Sequence, residues 1–269
     1  MQKSEKIKIS VITVCRNAEN IISETIESVI KQTYDNIEYL IVDGNSTDKT
    51  LKYIKEYSLK NNITYISEND NGIYDAMNKG ICMATGDFLC FLNAGDCFYN
   101  NQVIDNIVEF IMHHPADIYY GDIIYKYPNG DKAIRTYGNI CGTKLYYCTG
   151  DSINHQSIFA SKKCFERSLF DTSYKICADR EWMMRMHKKG FKYKAMHQLI
   201  AEYSLDEGSA SIANMQLYKD EADRCVRKHF VMLYPIFVCV EAVRNNKVFS
   251  KGLHTIYKIL FIRNSESIK

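Results

Sequence analysis

Four short apolar runs, the first two rich in β-branched residues and each passing into a cluster of polar residues, dominate the first hundred positions. They are Lys8 to Val14 (KISVITV), Ile37 to Asp43 (IEYLIVD), Ile63 to Ser67 (ITYIS) and Asp87 to Asn93 (DFLCFLN), all of strand length and composition. Helical periodicity lies between them. Ile22, Ile26, Val29 and Ile30 recur on one face, as do Leu51, Ile54 and Tyr57. Strands and helices alternating at short spacing imply an α/β fold with a mostly parallel sheet flanked by helices. Such sheets bind ligands beyond the carboxyl ends of their strands, so the residues after Val14, Val42, Ser67 and Leu92 are where chemistry is expected.

After about residue 100 the alternation loosens. Val103 to Met112 reads as a helix, and Ile118 to Tyr127 with Ala133 to Tyr137 as antiparallel strands around a Pro128-Asn129-Gly130 turn. A short strand at Ile158 to Ala160, a helix over Asp179 to Lys189 and a strand over Tyr193 to Ile200 follow, and the chain from Ile212 reads as mostly helical. The expected division is a catalytic body over 1–211, with halves 1–98 and 99–211, and a helical extension over 212–269.

Charge supports that division. The 269 residues carry a net +2, but residues 213–269 hold ten basic and five acidic side chains, a local +5, and residues 1–212 hold 24 basic and 27 acidic, a local −3. No global basic field exists to recruit nucleic acid. Ten cysteines occur without a C-x-x-C pair, and several lie in apolar runs, so free thiols of a reducing compartment are expected rather than disulfides or zinc ligands. The start, MQKSEKIKISVITV, enters a strand directly with no cleavage-site pattern, and no run of about 18 uncharged apolar residues occurs. A cytoplasmic protein is expected.

The strand ends carry the chemistry. The first runs into TVCRN (Thr13 to Asn17). The second ends in VDGNSTD, where Asp43 can accept hydrogen bonds from a base or ribose edge, or make an Asx turn, and Gly44 permits close backbone approach. Asp48 is the natural cap of the next helix. The third strand leads into SENDNGIYDAMNKGI. There Tyr74, Met77 and Ile81 share a core face, while Asp75, Asn78 and Lys79 form a polar face that is either functional or merely solvated. The fourth gives ATGDFLCFLNAGD, which brings Asp96 to the cleft edge as a turn residue or as a carboxylate for a hard divalent cation.

Taken in order, these four motifs resemble the family 2 glycosyltransferases of the GT-A fold, over residues 8–211. The resemblance implies a Rossmann-like mixed sheet with a C-terminal helical extension and an inverting enzyme that uses nucleotide-diphosphate sugars, as in the branch that builds bacterial surface polysaccharides. It places Thr13, Cys15, Arg16, Asn17 and Asp43 around the nucleoside, and Asp70, Asp75, Asn78 and Lys79 near base, ribose and phosphates. Asp96 matches the last aspartate of the family's D-x-D metal motif, for Mg²⁺ or Mn²⁺. The sequence departs at the start of that motif: Asn93 stands where many members have Asp, so Asn93 and Ala94 are expected to contact the sugar or phosphate.

HQSIFA (His155 to Ala160) resembles a strand motif of the same branch, with His155 facing the active site as a hydroxyl or phosphate ligand, a second metal ligand, or a structural histidine. ICADREW (Ile176 to Trp182) matches the region that supplies the catalytic base. Asp179 fits that role, with helix capping as its structural alternative, and Glu181 is the second candidate. Glu181, Trp182 and Ser209, the last in the mobile-loop motif YSLDEGSAS, are expected on the acceptor side. The implied donor is a UDP-hexose or UDP-N-acetylhexosamine, and the implied acceptor a lipid-diphosphate-linked saccharide. A sugar nucleotidyltransferase would carry a Gly-rich phosphate loop, which TVCRNAEN lacks. A non-catalytic scaffold would have lost Asp96 or Asp179. In the tail, Arg224, Arg227 and Lys228 precede HFVMLYPIFVCVEAV, and Lys251, Lys258 and Arg263 flank IYKILFI, a pattern that suits a helix on an anionic membrane surface, a helical hairpin on the body or a homodimer contact.

Overall fold

The computed structural model describes residues 6–139, 143–147, 151–205, 214–245 and 267–268. Strands β1 (Ile9–Cys15), β2 (Ile37–Asp43), β3 (Ile63–Ser67) and β4 (Phe88–Phe91) alternate with helices α1 (Ile22–Ile30), α2 (Thr50–Ser58) and α3 (Ile73–Met83). The strands pair in parallel with β1 in the middle, flanked by β2 and β4, and β3 outside β2. All seven residues of β1 are buried, because helices cover both faces of the sheet; this is why the strand reads as a near-continuous apolar run. The register sets Cys15 beside Asp43 and Asp43 beside Ser67, so the three polar tails leave the sheet at one edge.

Beyond the two-residue strand β5 (Cys97–Phe98) and helix α4 (Val103–His113) the sheet becomes mixed. Strand β6 (Ile118–Lys126) pairs antiparallel with β7 (Lys132–Arg135) across the expected turn and antiparallel with β8 (Ile158–Ser161), which in turn lies antiparallel to β4. Between β7 and β8 lie helix α5 (Lys144–Tyr147) and a short 3₁₀ turn, His155–Ser157. Helix α6 (Ala178–Lys188) then leads to β9 (Tyr193–Ser204), parallel to β6. Sequence periodicity ends β9 at Ile200. The strand continues to Ser204 because, past irregularities at Tyr120 to Ile123, it keeps pairing with β6 as far as Lys126.

Helices α7 (Met215–His229) and α8 (Tyr234–Asn245) follow, with strand β10 (Ser267–Ile268) on β7. Helix α7 turns Glu221, Ala222, Cys225 and Val226 inward and packs on α6, the arrangement of the alternative in which the tail lies on the body. Phe230 lies against Tyr147 and His187. No helix among the described residues is long and apolar enough to cross a membrane. The eight described cysteines are free, and Cys90 is fully buried in β4, where burial pushes its thiol well up. Cys141 and Cys148 lie outside the described residues.

Candidate active site

A cavity of about 510 Å³ opens at the carboxyl edge of β1 and β4. Its walls come from the β1 end (Cys15, Arg16, Asn17), the β4 tail (Asn93 to Asp96), the turn before β8 (His155, Gln156), the start of α6 (Asp179, Arg180), the end of β9 (Tyr203, Ser204) and Tyr218 of α7. Eight residues expected from the sequence therefore meet here: Cys15, Arg16, Asn17, Asn93, Ala94, Asp96, His155 and Asp179. The β1 end is shaped by Asn17, which takes a left-handed backbone (φ 51°), donates its N–H to Ser46 Oγ at 2.8 Å and accepts the Thr47 N–H at 2.9 Å. Cys15 is no nucleophile, since burial first, and then the Asp43 carboxylate, push its thiol far up.

Asp179 is the best-supported carboxylate in the cavity. Oδ2 lies 3.1 Å from His155 Nδ1, and His155 Nε2 lies 2.9 Å from Asn93 Nδ2. Oδ1 faces the Tyr74 hydroxyl at 3.0 Å and accepts the Arg180 N–H at 2.8 Å. Burial, followed by the charge of Asp179, raises the Tyr74 phenol well above its usual value, so it stays protonated and can donate. Asp179 sits within α6 and does not cap it; the capping position falls on Cys177, which contributes no side-chain bond. Both ring nitrogens of His155 have protein partners, Asn93 Nδ2 and Asp179 Oδ2.

Other expected residues lie elsewhere. Thr13 is fully buried and bonds Leu92 O and Tyr39 Oη. Asp43, also fully buried, accepts the Ser46 N–H and the Ser46 and Ser67 hydroxyls, the bonds of the Asx-turn alternative. Asp48 accepts the N–H of Thr50, the first residue of α2, although the cap position itself is Lys49. Asp70 accepts the Gly72 N–H and fills the space a side chain at Gly44 would need. Asp75 accepts the Asn71 N–H, and Lys79 reaches Asn69 O and Glu68, so both tie down the loop before α3. Asn78 clamps the Phe170 backbone through two bonds of 2.9 Å. Glu181 is buried away from the cavity; burial pushes its carboxyl up, but His229, Arg185 and Lys228 outweigh this and hold it below its usual value. Trp182 stacks on Phe165 and donates to Ser168 O. Ser209 lies outside the described residues.

Three residues at the site carry no motif signal. Tyr74 was legible only as core, Gln156 donates to Asp96 Oδ2 at 3.0 Å, and Glu221 of α7 accepts the backbone N–H groups of Lys175, Ile176 and Cys177. Only the position of Gln156 beside His155 could have drawn attention to it.

Asp96 is 4% exposed at the cavity wall. Two neutral oxygens of its neighbours, Asn93 Oδ1 and Gln156 Oε1, are buried without a hydrogen-bond partner. One carboxylate amid unanswered oxygen dipoles fits a hard divalent cation that shares substrate phosphates. Among the described residues no three His, Cys, Asp or Glu side chains are grouped to cage an ion unaided.

The sequence profile of Glycosyl transferase family 2 matches residues 10–189, two-thirds of the chain and every wall of the cavity except the end of β9 and α7. The chain belongs to that family. A "PGL/p-HBAD biosynthesis glycosyltransferase" of Mycobacterium tuberculosis is 31% identical to this family 2 glycosyltransferase over 205 residues, 72% of the chain and 76% of the relative. S. aureus TarS 1-349 in complex with UDP-GlcNAc superposes with a TM-score of 0.64 at 19% identity, over 83% of this chain and 68% of that one; against a second TarS structure the chain spans 44% of the length. The mannosyltransferase PcManGT from Pyrobaculum calidifontis, in complex with GDP-Man and Mn2+, gives 0.63 at 13% identity, over 95% and 81%. The fold of this glycosyltransferase is GT-A, as its motifs imply.

Proposed function

We propose that this glycosyltransferase transfers a sugar, with inversion, from a nucleotide-diphosphate sugar to a saccharide hydroxyl, with Asp179 as general base. The observation that carries the reading is that Asp179 and Asp96 face one cavity while Asp179 is held from both sides by His155 and Tyr74. An ionised carboxylate has about four lone-pair sites. Two take the His155 and Arg180 N–H groups, and a third faces the Tyr74 hydroxyl, whose single proton is shared with Ile176 O, which leaves one for an acceptor hydroxyl. As the acceptor oxygen forms its bond to the anomeric carbon, the bond from that carbon to the leaving phosphate oxygen breaks and the hydroxyl proton passes to Asp179. A positioned base contributes roughly 10² to 10⁴ in rate. Asp96 would hold Mg²⁺ or Mn²⁺, which neutralises charge on the diphosphate. The neighbours solved with UDP-GlcNAc and with GDP-Man and Mn2+ support a nucleotide-sugar donor and a metal, and a UDP-sugar is the donor proposed here.

The acceptor is proposed to be lipid-diphosphate-linked, as in polysaccharide or O-antigen synthesis, with the C-terminal helices resting on the inner face of the membrane. Support comes from Val231 and Met232, which are 69% and 88% exposed at the turn between α7 and α8, and from Ile236 and Val238 on α8. The basic residues of α7 lend less: Arg227 pairs with Asp223, Lys228 with Asp171 and Glu181, and Arg224 covers the Tyr174 ring. Lys251, Lys258 and Arg263 lie outside the described residues. Flotation with anionic liposomes should be lost in Val231→Asp/Met232→Asp; a homodimer dispersed by the same change would reassign the surface.

The deciding experiment is a donor screen read as nucleoside diphosphate released, with pyrophosphate measured in parallel. Asp179→Asn should keep donor binding and abolish transfer, and full turnover would remove Asp179 from its role. Asp96→Ala should weaken Mn²⁺-dependent donor binding, and an unchanged calorimetric titration would overturn that assignment. Pyrophosphate as product would mean a nucleotidyltransferase, and no product with any donor a scaffold.

A further inference from the structure

The asparagine that departs from the family's metal motif has a partner of its own. Asn93 Nδ2 lies 2.9 Å from His155 Nε2, and the opposite ring nitrogen, Nδ1, lies 3.1 Å from Asp179 Oδ2. With Asp179 ionised and the His155 ring neutral, hydrogen-bond logic fixes each proton in this chain. An ionised carboxylate only accepts, so Nδ1 must carry the N–H that faces Asp179. A neutral imidazole with its proton on Nδ1 has a bare Nε2, which only accepts. The group at position 93 must therefore be a donor, and the amide presents Nδ2 and not Oδ1. The reverse amide orientation would put the ring proton on Nε2 and turn the bare Nδ1 toward the carboxylate, lone pair against lone pair. An aspartate at 93 has no N–H to offer.

We infer that Asn93 and His155 are positioning residues for Asp179: the Asn93 amide holds His155 in the Nδ1–H tautomer, and that N–H orients the carboxylate toward the acceptor. On the opposite side the Tyr74 hydroxyl, 2.5 Å from Ile176 O and 3.0 Å from Asp179 Oδ1, completes the cradle. The departure from the metal motif is then a substitution that serves the base instead of a weakened ion ligand. Asn93 Oδ1, at the far end of the same amide, remains free of protein partners for the donor. This inference rests on Asp179 as the base, but its first observable does not.

The test uses the full chain labelled with ¹⁵N-histidine. The His155 resonances are assigned by their loss in His155→Gln. In the wild type, Nδ1 should appear protonated and Nε2 bare, and in Asn93→Asp the bare-nitrogen signal should disappear as Nε2 gains a proton. A wild-type spectrum with the proton on Nε2 refutes the inference outright. Kinetically, Asn93→Asp should lower kcat about tenfold or more, part of the roughly 10² to 10⁴ that a positioned base provides, with donor KM changed less than about twofold. If donor KM or metal requirement moves while kcat stays, Asn93 belongs to donor binding and the positioning role falls. Turnover by Asp179→Asn would end the base assignment while leaving the tautomer result standing, so the two failures are separable.

Discussion

Replacing Glu221 by alanine should loosen the start of the helix that carries Asp179. The Glu221 carboxylate, 5% exposed on α7, accepts the N–H groups of Lys175 at 2.7 Å, Ile176 at 2.9 Å and Cys177 at 2.9 Å. These amides lead into α6, whose capping residue offers no side-chain bond, so one acidic group from another helix meets both the orphan donors and the positive end of the helix dipole. Cys177 is buried, and stranding its amide costs about 1–3 kcal/mol. The other two amides are partly exposed and regain water, each losing about 0.5–1 kcal/mol. Relief from burying a carboxylate offsets part of this, which leaves a net loss of about 2–4 kcal/mol. For a chain of this size 1 kcal/mol moves Tm by about 2–4 °C, so Tm should drop by roughly 4–16 °C. Thermal unfolding without donor or metal reads this directly, since either ligand would add its own stabilisation. Glu221→Gln, which keeps one acceptor oxygen, should fall between. A Glu221→Ala protein that melts within about 2 °C of wild type would refute the capping argument.

Three further outcomes follow from the packing. Asn78→Ala should cost about 1–3 kcal/mol by stranding the Phe170 backbone, with donor affinity unchanged in calorimetry; a donor-specific loss at full stability would return Asn78 to the nucleotide. Gly80→Ala puts a methyl 2.5 Å from Ile12 Cγ2 in fully buried β1, and should lower the urea midpoint by an equivalent of about 1–3 kcal/mol without changing the m-value. Burial pushes the Glu38 carboxyl up, but bonds from Ser10, Thr85 and Lys8 prevail and hold it at about 2. Because the folded value is depressed, the stabilisation is complete above its usual 4.5 and disappears as pH falls toward about 2. The stability gap between wild type and Glu38→Gln should therefore close across that interval, and a gap independent of pH would contradict the assignment.

What could be read from the sequence was whatever depends on local pattern. Strands β1, β2 and β4 were legible because burial makes each an apolar run, and the ends of all four strands were found to within two residues. Asp96 and Asp179 were legible as carboxylates placed where a strand tail or helix start meets the cleft. What was lost was side-chain direction. Thr13 and Asp43 stand at the expected strand ends with their side chains buried, and the hydroxyls of Ser46 and Ser67 bond Asp43. Tyr74 has a core ring, as its spacing says, yet its hydroxyl reaches Asp179, 105 positions away. No periodicity encodes that contact.

The charge change near residue 212 left the tail open to two readings, a surface for an outside partner or a helical hairpin on the body. Read as an appendage, the tail explains its basic residues by a partner outside the protein. Read in the structure, Lys228 pairs with buried Glu181 of α6 and His229 hydrogen-bonds it, Glu221 holds the approach to Asp179, and Tyr218 lines the cavity. Lys228 and Glu221 of helix α7 are thus directed at the catalytic helix and the segment that leads into it. Truncation near residue 210 cannot isolate a membrane function, because it would strip the support from α6 and change the base's position at the same time. The exposed apolar turn after α7, where Val231 and Met232 face solvent, is the part of the extension that can be altered while the contacts of Glu221 and Lys228 with the catalytic helix and its approach are kept.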